Sequence, residues 1–211
     1  MILRLYSLPY NEEYPVVCFD ERPCFLIGDT IEPIKMEQGK PAKENYAYSK
    51  HGSCCVLAAI EPQTGKRLAH VRGQRTKKEF ALFMLDLAKA YPDAVKIKVV
   101  LDNLNTHGYP SFYEQFDAET AAWLTQRIDF VFTPKSSSWL NMIEIEFSAL
   151  SRQCLNRRIP CMKKLESEVL HFFKERSLMG IKINWQFTQE DARKKLNRRY
   201  AEVNPENIKY K

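Results

Sequence analysis

The order of the apolar runs in this chain limits the folds that it can adopt. Five short runs rich in β-branched and aromatic residues predict strands, and no helical segment separates the first three. The two later strands alternate with segments of helical periodicity. The predicted strands cover residues 15–20, 54–61, 66–72, 95–101 and 128–132. A strand hairpin followed by alternating helices and strands indicates an α/β fold, with a mixed five-stranded sheet flanked by helices.

Helical periodicity follows the hairpin and continues into the C-terminal third. The first predicted helix ends before Pro92, and Thr188 is predicted to cap the last helix because Asp191 stands at its third position. The predicted helices before the last one cover residues 77–91, 111–127 (in two pieces), 140–158 and 162–178. We expect residues 1–160 to form the main domain and residues 161–211 a basic helical C-terminal extension packed on it.

Charge is distributed unevenly along the 211 residues, whose formal net charge is +6. Residues 1–146 carry 17 basic and 19 acidic side chains, whereas residues 147–211 carry 15 basic and 7 acidic ones. This asymmetry suggests a polyanionic partner such as nucleic acid, and a solvated helical surface is the alternative. No apolar run approaches the roughly 20 residues that span a bilayer, and the N-terminus lacks signal-peptide features. We therefore expect a cytosolic protein without membrane contact.

The six cysteines form no CxxC pair, and the four histidines are scattered along the chain. This spacing is not that of a zinc site, so we expect buried thiols in a reducing compartment.

Two acidic residues end predicted strands. Asp20 follows the run PVVCF, and Asp102 follows VKIKVVL. Functional sites in such sheets lie at the carboxyl ends of strands, and two neighbouring carboxylates repel each other unless a cation lies between them. Mg²⁺ and Mn²⁺ prefer such oxygen ligands, although strand-end acids also cap loops. In the helix at 140–158, Glu144 and Glu146 flank the apolar stripe on opposite sides, and periodicity does not choose between them.

Several motifs resemble the catalytic domain of the mariner-like DDE transposases, and most closely the bacterial insertion-sequence branch. The central motifs are LDNLNTH at residues 101–107 and FTPKSSSWLNMIEIEFSALSRQCLNRRIP at residues 132–160. Further matching segments are PVVCFDERP, EPIKMEQGKPAKENYAYSKHGS and NWQFTQEDARKKL. The resemblance covers almost the whole chain and implies an RNase H-like fold.

The same resemblance assigns the acids and the chemistry. It matches Asp20 and Asp102 to the two catalytic aspartates, and it matches Glu144 rather than Glu146 to the glutamate of the Leu-Asn-x-x-Glu motif. It implies two Mg²⁺ (or Mn²⁺) ions held by these three acids, with Asp20 between the ions. In such enzymes water first cuts a strand at the element's end, and the freed 3′-hydroxyl attacks target DNA, usually at a TA dinucleotide.

Basic residues around this site are predicted to contact DNA phosphates, which position the duplex without reading its sequence. The predicted contacts are Arg72, Arg75, Lys77, Lys78, Lys135, Arg152, Arg157 and Arg158. His107 is included as a DNA contact, and orienting a metal ligand is its alternative role. Any of these residues is alternatively an ordinary solvated charge. Trp139, Trp185 and Phe187 are predicted to belong to the core rather than to stack on bases.

The connection at residues 28–52 is longer than most connections in compact domains. In mariner-like relatives this region reaches a partner subunit, and pairing two element ends requires at least a dimer. We therefore expect a homodimer with this loop as a contact, and a self-packed surface loop is the alternative. Only 19 residues precede Asp20, too few for the helix-turn-helix modules of such transposases. This indicates a separately encoded, truncated or trimmed catalytic part.

Two other functions compete with transposition. An inactive or regulatory fragment would bind DNA or dimerise without cutting. An RNase H-like nuclease would cut nucleic acid without joining it. A paired-carboxylate glycosidase is remote, because only the acids support it.

Overall fold

The described part of the chain forms a mixed sheet in the computed structural model, which describes residues 2–203 and the side chains of residues 2–197. The strands are β1 (Val16–Asp29), β2 (Tyr48–Ile60), β3 (Arg67–Arg72), β4 (Ile97–Leu101) and β5 (Ile128–Phe132). Their order in the sheet is β3-β2-β1-β4-β5. The hairpin strands β1, β2 and β3 are antiparallel, and β4 runs parallel to both β1 and β5. The predicted mixed five-stranded α/β sheet is confirmed.

Helices cover both faces of the sheet. They are α1 (Ile2–Tyr6), α2 (Lys77–Ala90), α3 (Pro110–Gln115), α4 (Ala118–Arg127), α5 (Ile143–Gln153), α6 (Met162–Leu178) and α7 (Gln189–Val203). Alternate residues of β1 supply the two cores, because successive strand side chains point to opposite faces. Phe19 packs with α2, α3 and α4 on one face, and Cys18 packs with α1, α5 and α6 on the other.

The hairpin is much longer than predicted. β1 does not end at Asp20 but continues to Asp29, because residues 21–29 pair with β2 back to Tyr48. The predicted loop at 28–52 therefore shrinks to residues 30–47. On the other side of β1, pairing with β4 ends at Cys18 and Val100, so Asp20 lies just beyond the last paired position.

The remaining differences concern helix ends. The short helix α1 was not predicted, and the helix expected at 140–158 is a 3₁₀ turn (Ser138–Leu140) followed by the shorter α5. The predicted capping box is confirmed, since Thr188 Oγ1 accepts the Asp191 N–H at 3.1 Å and the Thr188 N–H donates to Asp191 Oδ2 at 2.9 Å.

The C-terminal segment begins with α6, whose buried Leu165, Val169 and Phe173 belong to the same core as α1 and α5. The division of the chain at residue 160 stays a prediction. Within residues 2–203, none of the helices is both long and apolar enough to cross a membrane.

Candidate active site

Three acidic residues lie at the same edge of the sheet. Asp20 lies in β1 just past its last pairing with β4, and Asp102 directly follows β4. Since β1 and β4 are parallel neighbours, these two acids lie at the same edge. Glu144 is in the first turn of α5.

The start of α5 is fixed against β1 by two hydrogen bonds. The Asn141 side chain donates to the main-chain oxygen of Phe19 at 2.8 Å, and the Tyr6 hydroxyl donates to that of Leu140 at 2.8 Å. Asn141 thus connects the residue before Asp20 to the turn that carries Glu144. The Leu-Asn pair of the motif therefore has a structural role in bringing β1 and α5 together.

The surroundings of Asp20 perturb its carboxyl group strongly. The combined effect of its surroundings raises the pKa of Asp20 to about 6. Burial is the largest cause and repulsion from Asp102 and Glu144 adds to it, whereas the Glu21 N–H that donates to Oδ1 at 2.7 Å opposes it. Asp102 and Glu144 are thus both close enough to Asp20 to interact with it electrostatically. Burial and repulsion disfavour the ionised form of this carboxyl group, and a nearby cation would stabilise that form.

The donor set fits a hard divalent cation, because it consists of three carboxylates of which one is partly desolvated and repelled by the other two. The side chains are not already drawn together, since no group of three or more Asp, Glu, His or Cys residues among the described ones has metal-binding geometry. The three carboxylates therefore fit a divalent cation by their chemical type and by their location, and not by a preformed coordination geometry.

Glu146 is occupied elsewhere, although it is only two residues from Glu144. Its carboxylate is 1% exposed and receives hydrogen bonds from both Arg67 and Arg176, at 2.8 to 3.0 Å. Burial would raise the pKa of Glu146, but these two guanidinium groups outweigh it, so the pKa is lowered. The geometry makes Glu146 part of a buried ion cluster and leaves the exposed Glu144 as the available acid.

His107 does not fit the predicted DNA contact, because its side chain is 0% exposed. Its Nδ1 lies 2.6 Å from Asp102 Oδ1, and its Nε2 lies 3.4 Å from Glu21 Oε1. Burial lowers the pKa of His107, but the Glu21 and Asp102 carboxylates outweigh this effect and the net shift is upward. The alternative role, orienting a ligand, is the one that the geometry allows.

Most of the predicted DNA-contacting cations have acidic partners within the chain. The pairs are Arg72 with Glu79 (2.8 Å), Arg75 with Glu21 (3.3 Å), Lys77 with Glu114 (2.5 Å), Arg157 with Glu168 (2.5 Å) and Arg158 with Asp29 (2.6 Å). Arg158 also donates to the main-chain oxygens of Asn45 and Ala47, so it fixes the loop at residues 30–47 to the body.

Three predicted cations remain exposed without a recorded ion pair in the described part of the chain: Lys78, Lys135 and Arg152. They are therefore the cations best placed to receive phosphates. Trp139 is 53% exposed, and its ring meets that of the half-buried Phe187 in an edge-on contact at 5.2 Å between ring centroids. The prediction that Trp139 belongs to the core is therefore wrong. Trp185 packs against Tyr6 as expected.

Sequence reasoning missed three residues that organise this region: Glu21, Arg67 and Arg176. Glu21 carried a signal, because an acid directly after Asp20 in a strand must point to the opposite face of the sheet. The two arginines carried none, since they lie 79 and 30 residues from Glu146 along the chain.

Comparison with known proteins places these features in a family. The model of the DDE superfamily endonucleases matches residues 15–166. The solved Mos1 mariner paired-end complex with Mn is 13% identical, with a TM-score of 0.56 over 85% of this chain and 54% of that one. The Mos1 transposase paired-end complex with left transposon end is 12% identical, with a TM-score of 0.57 over 85% and 55%. No curated protein matches the chain.

The structural likeness confirms the expected RNase H-like fold, and the chain spans about half the length of the two solved transposase chains. The family match covers nearly three quarters of the chain and includes Asp20, Asp102 and Glu144. This chain therefore belongs to the DDE superfamily endonucleases.

Proposed function

We propose that the chain is the catalytic part of an insertion-sequence transposase, which cuts DNA strands and transfers them to a target. The observation that carries this proposal is that Asp20, Asp102 and Glu144 lie at the same sheet edge, where repulsion from the other two acids helps to raise the pKa of Asp20. Family membership and the likeness to two transposase complexes support the same reading.

Two divalent ions, Mg²⁺ or Mn²⁺, are the proposed cofactors, and Asp20, Asp102 and Glu144 would hold them. When bound, such ions activate the attacking oxygen, stabilise the leaving oxygen and neutralise the phosphate. The chain prepares the ligands. The Glu21 N–H fixes Asp20 Oδ1, the His107 imidazole contacts Asp102 Oδ1, and Asn141 holds the turn that carries Glu144.

The proposed substrates are the DNA ends of an element and a target duplex, with a TA dinucleotide as the expected target. Lys78, Lys135 and Arg152 are the proposed phosphate contacts with no competing ion pair recorded in the described residues. Arg72, Arg75, Lys77 and Arg157 would have to share their acidic partners with DNA. The proposed location is the bacterial cytosol and nucleoid.

The proposed assembly is a homodimer that uses the loop at residues 30–47. Four apolar side chains of this loop are 61% to 94% exposed: Ile31, Ile34, Met36 and Tyr46. Exposed apolar side chains concentrated in one loop are typical of a protein interface. Arg158 holds the ends of the loop, so the loop extends from a fixed base.

The central test is nicking of a labelled duplex in Mg²⁺ or Mn²⁺ by the wild type and by the variants Asp20→Asn, Asp102→Asn and Glu144→Gln. Each variant is expected to lose cleavage while its circular dichroism stays native and its unfolding midpoint is not lowered. Glu119→Gln, an exposed acid on α4, is the matched control and keeps cleavage. Wild-type nicking by any of the three variants would refute the assignment.

Strand transfer separates the proposal from its two rivals. A labelled oligonucleotide with a free 3′-hydroxyl should become joined to a plasmid target in the presence of the metal ion. Cleavage without joining would favour an RNase H-like nuclease. DNA binding without either reaction would favour a regulatory fragment.

The dimer has its own test. The double substitution Ile34→Ser and Met36→Ser changes only exposed loop side chains, so the fold should persist. Sedimentation with DNA ends bound should then show a loss of the dimer. A dimer that survives unchanged would show that the loop packs only on its own subunit.

A further inference from the structure

A buried network of polar side chains connects the surface to the Asp102 carboxylate. It begins at the half-exposed Arg75, whose Nε lies 3.3 Å from Glu21 Oε2. Glu21 is 1% exposed, and its other oxygen lies 3.4 Å from Nε2 of the fully buried His107. On its far side, His107 Nδ1 lies 2.6 Å from Asp102 Oδ1 and 3.3 Å from the Asp102 main-chain oxygen.

Few other partners are available to these buried atoms. Both Glu21 carboxylate oxygens, His107 Nε2 and Asp102 Oδ1 are buried and have no aligned hydrogen bond among the described residues. An unpaired buried carboxylate is strongly disfavoured, because burial removes the water that would otherwise solvate its charge. The short contacts within this network therefore keep Glu21 and His107 in place.

Packing fixes the plane of the imidazole. The Phe80 ring stacks on His107 with centroids 4.8 Å apart and an angle of 29° between the planes. The Phe19 ring meets it edge-on at 5.5 Å. A ring held on two sides has little freedom to rotate, so Nδ1 stays directed at Asp102 and Nε2 at Glu21.

The position of Glu21 in the sequence connects this network to Asp20, the other predicted catalytic aspartate. Asp20 and Glu21 are adjacent in β1, so their side chains point to opposite faces of the sheet. Asp20 faces the active-site edge, while Glu21 reaches Asp102 from behind through His107.

We propose that His107, held by Glu21, is a positioning residue that fixes Asp102 Oδ1 and so leaves Oδ2 free to bind the catalytic metal ion. This role rests on the proposed function, because it requires Asp102 to be a metal ligand. Outer partners of this kind change metal affinity by about 10- to 100-fold when they are removed. The role differs from DNA contact, which the burial of His107 rules out.

Two substitutions distinguish the contacts made by the two nitrogen atoms of the His107 imidazole. In His107→Asn the amide nitrogen can occupy the position of Nδ1 and keep the Asp102 contact. In His107→Gln it can occupy the position of Nε2 and keep only the Glu21 contact. Both variants lose the ring and its stacking, so any general cost to the fold is shared.

The measurement is calorimetric Mn²⁺ binding to the full chain, with Asp102→Asn as the reference for loss of the site. Wild type and His107→Asn should bind within about threefold of each other, whereas His107→Gln should bind about 10- to 100-fold more weakly. Equal affinities for His107→Asn and His107→Gln would overturn the positioning role alone. Wild-type binding that does not depend on Asp102 would overturn the proposed function, and the positioning role with it.

Nicking kinetics and NMR provide independent readouts. His107→Gln should lower kcat and leave the KM for DNA unchanged, and a raised KM with native kcat would overturn the role in favour of DNA contact. The Nδ1–H resonance of the His107 imidazole should differ between the wild type and Asp102→Asn. This comparison leaves His107 itself unchanged. An unchanged resonance would show that His107 does not contact the Asp102 carboxylate and would overturn the proposal.

Discussion

The variant Glu146→Gln tests the division of labour between two glutamates that stand two residues apart on α5. Glu146 lies between Arg67, which is 0% exposed, and Arg176, which is 15% exposed. Arg67 also donates to the main-chain oxygens of Gly65, Arg176 and Ile181. The cluster therefore connects α5 to β3, to the end of α6 and to the segment beyond it.

The size of the effect follows from the burial of the charges. Removing one partner of a buried ion pair costs about 3–5 kcal/mol, because it leaves the other charge uncompensated. Gln keeps the shape of Glu146 but removes the charge opposite two guanidinium groups. For a domain of 150–250 residues, 1 kcal/mol shifts the midpoint by roughly 2–4 °C, so a fall of roughly 6–20 °C is expected.

The pH dependence of unfolding shows whether the charge of Glu146 stabilises or destabilises the fold. The pKa of Glu146 is lowered in the folded state, because the hydrogen bonds from Arg67 and Arg176 outweigh the effect of burial. Its stabilisation is therefore complete above its ordinary pKa of 4.5 and is lost as the pH falls through the lower folded value. The stability difference between wild type and Glu146→Gln should narrow as the pH falls below about 4.5.

The assay is thermal and urea unfolding of Glu146→Gln beside Glu144→Gln, with nicking measured below both midpoints. Glu144→Gln should unfold within about 0.5 kcal/mol of wild type and lack nicking, as expected for an exposed residue. Glu146→Gln should unfold early but nick while it is folded. Native stability in Glu146→Gln would show that desolvation already cancels the ion pairs, and that the reasoning is wrong.

Three further predictions concern four substitutions in other parts of the structure. Without divalent ions, Asp20→Asn should stabilise the fold by about 1–3 kcal/mol at pH 7.5 and by little near pH 4. The raised pKa of Asp20 makes its ionisation costly to the fold, and this cost grows between the ordinary pKa of 3.8 and the folded value of about 6 and is complete above it. Equal effects at both pH values in urea unfolding would contradict this. Gly65→Ala should destabilise by about 1–3 kcal/mol, since φ is +84° and the added Cβ would lie 2.6 Å from the Ile181 oxygen; a native unfolding midpoint would show that the turn relaxes. Lys135→Ala and Arg152→Ala should each lower the salt dependence of duplex binding by about 0.9 in fluorescence anisotropy, and an unchanged slope would remove that residue from the DNA path.

The sequence predicted those parts of the site that depend on local pattern. Asp20 and Asp102 follow apolar strands, and parallel strands bring their carboxyl ends together, so their shared edge could be inferred. The choice of Glu144 over Glu146 could not be inferred from periodicity, because both flank the buried stripe. It depends on Arg67 and Arg176, whose approach is decided by the packing of β3 and α6.

The length of β1 was also beyond local pattern. Residues 21–29 contain Pro23 and three charged side chains, which do not form a continuous apolar run. They become a strand because β2 offers a paired partner as far as Tyr48, with Cys24 opposite Cys54. The strand ends are thus set by a neighbour that begins 19 residues after Asp29, and no window of the sequence contains both.

The dipeptide Asp20-Glu21 shows why the site depends on the register of β1. A strand side chain changes face with every residue, so a shift of one position would turn Asp20 towards α2 and Glu21 towards Glu144. That arrangement would leave His107 without its acceptor and place the longer glutamate among the acids at the active-site edge. The continuous pairing of β1 with β2, from Cys18 to Leu26 without a bulge, opposes this shift over the whole region around Asp20. The extended hairpin, which lies mostly outside the active site, therefore sets the face on which each of the two acids works.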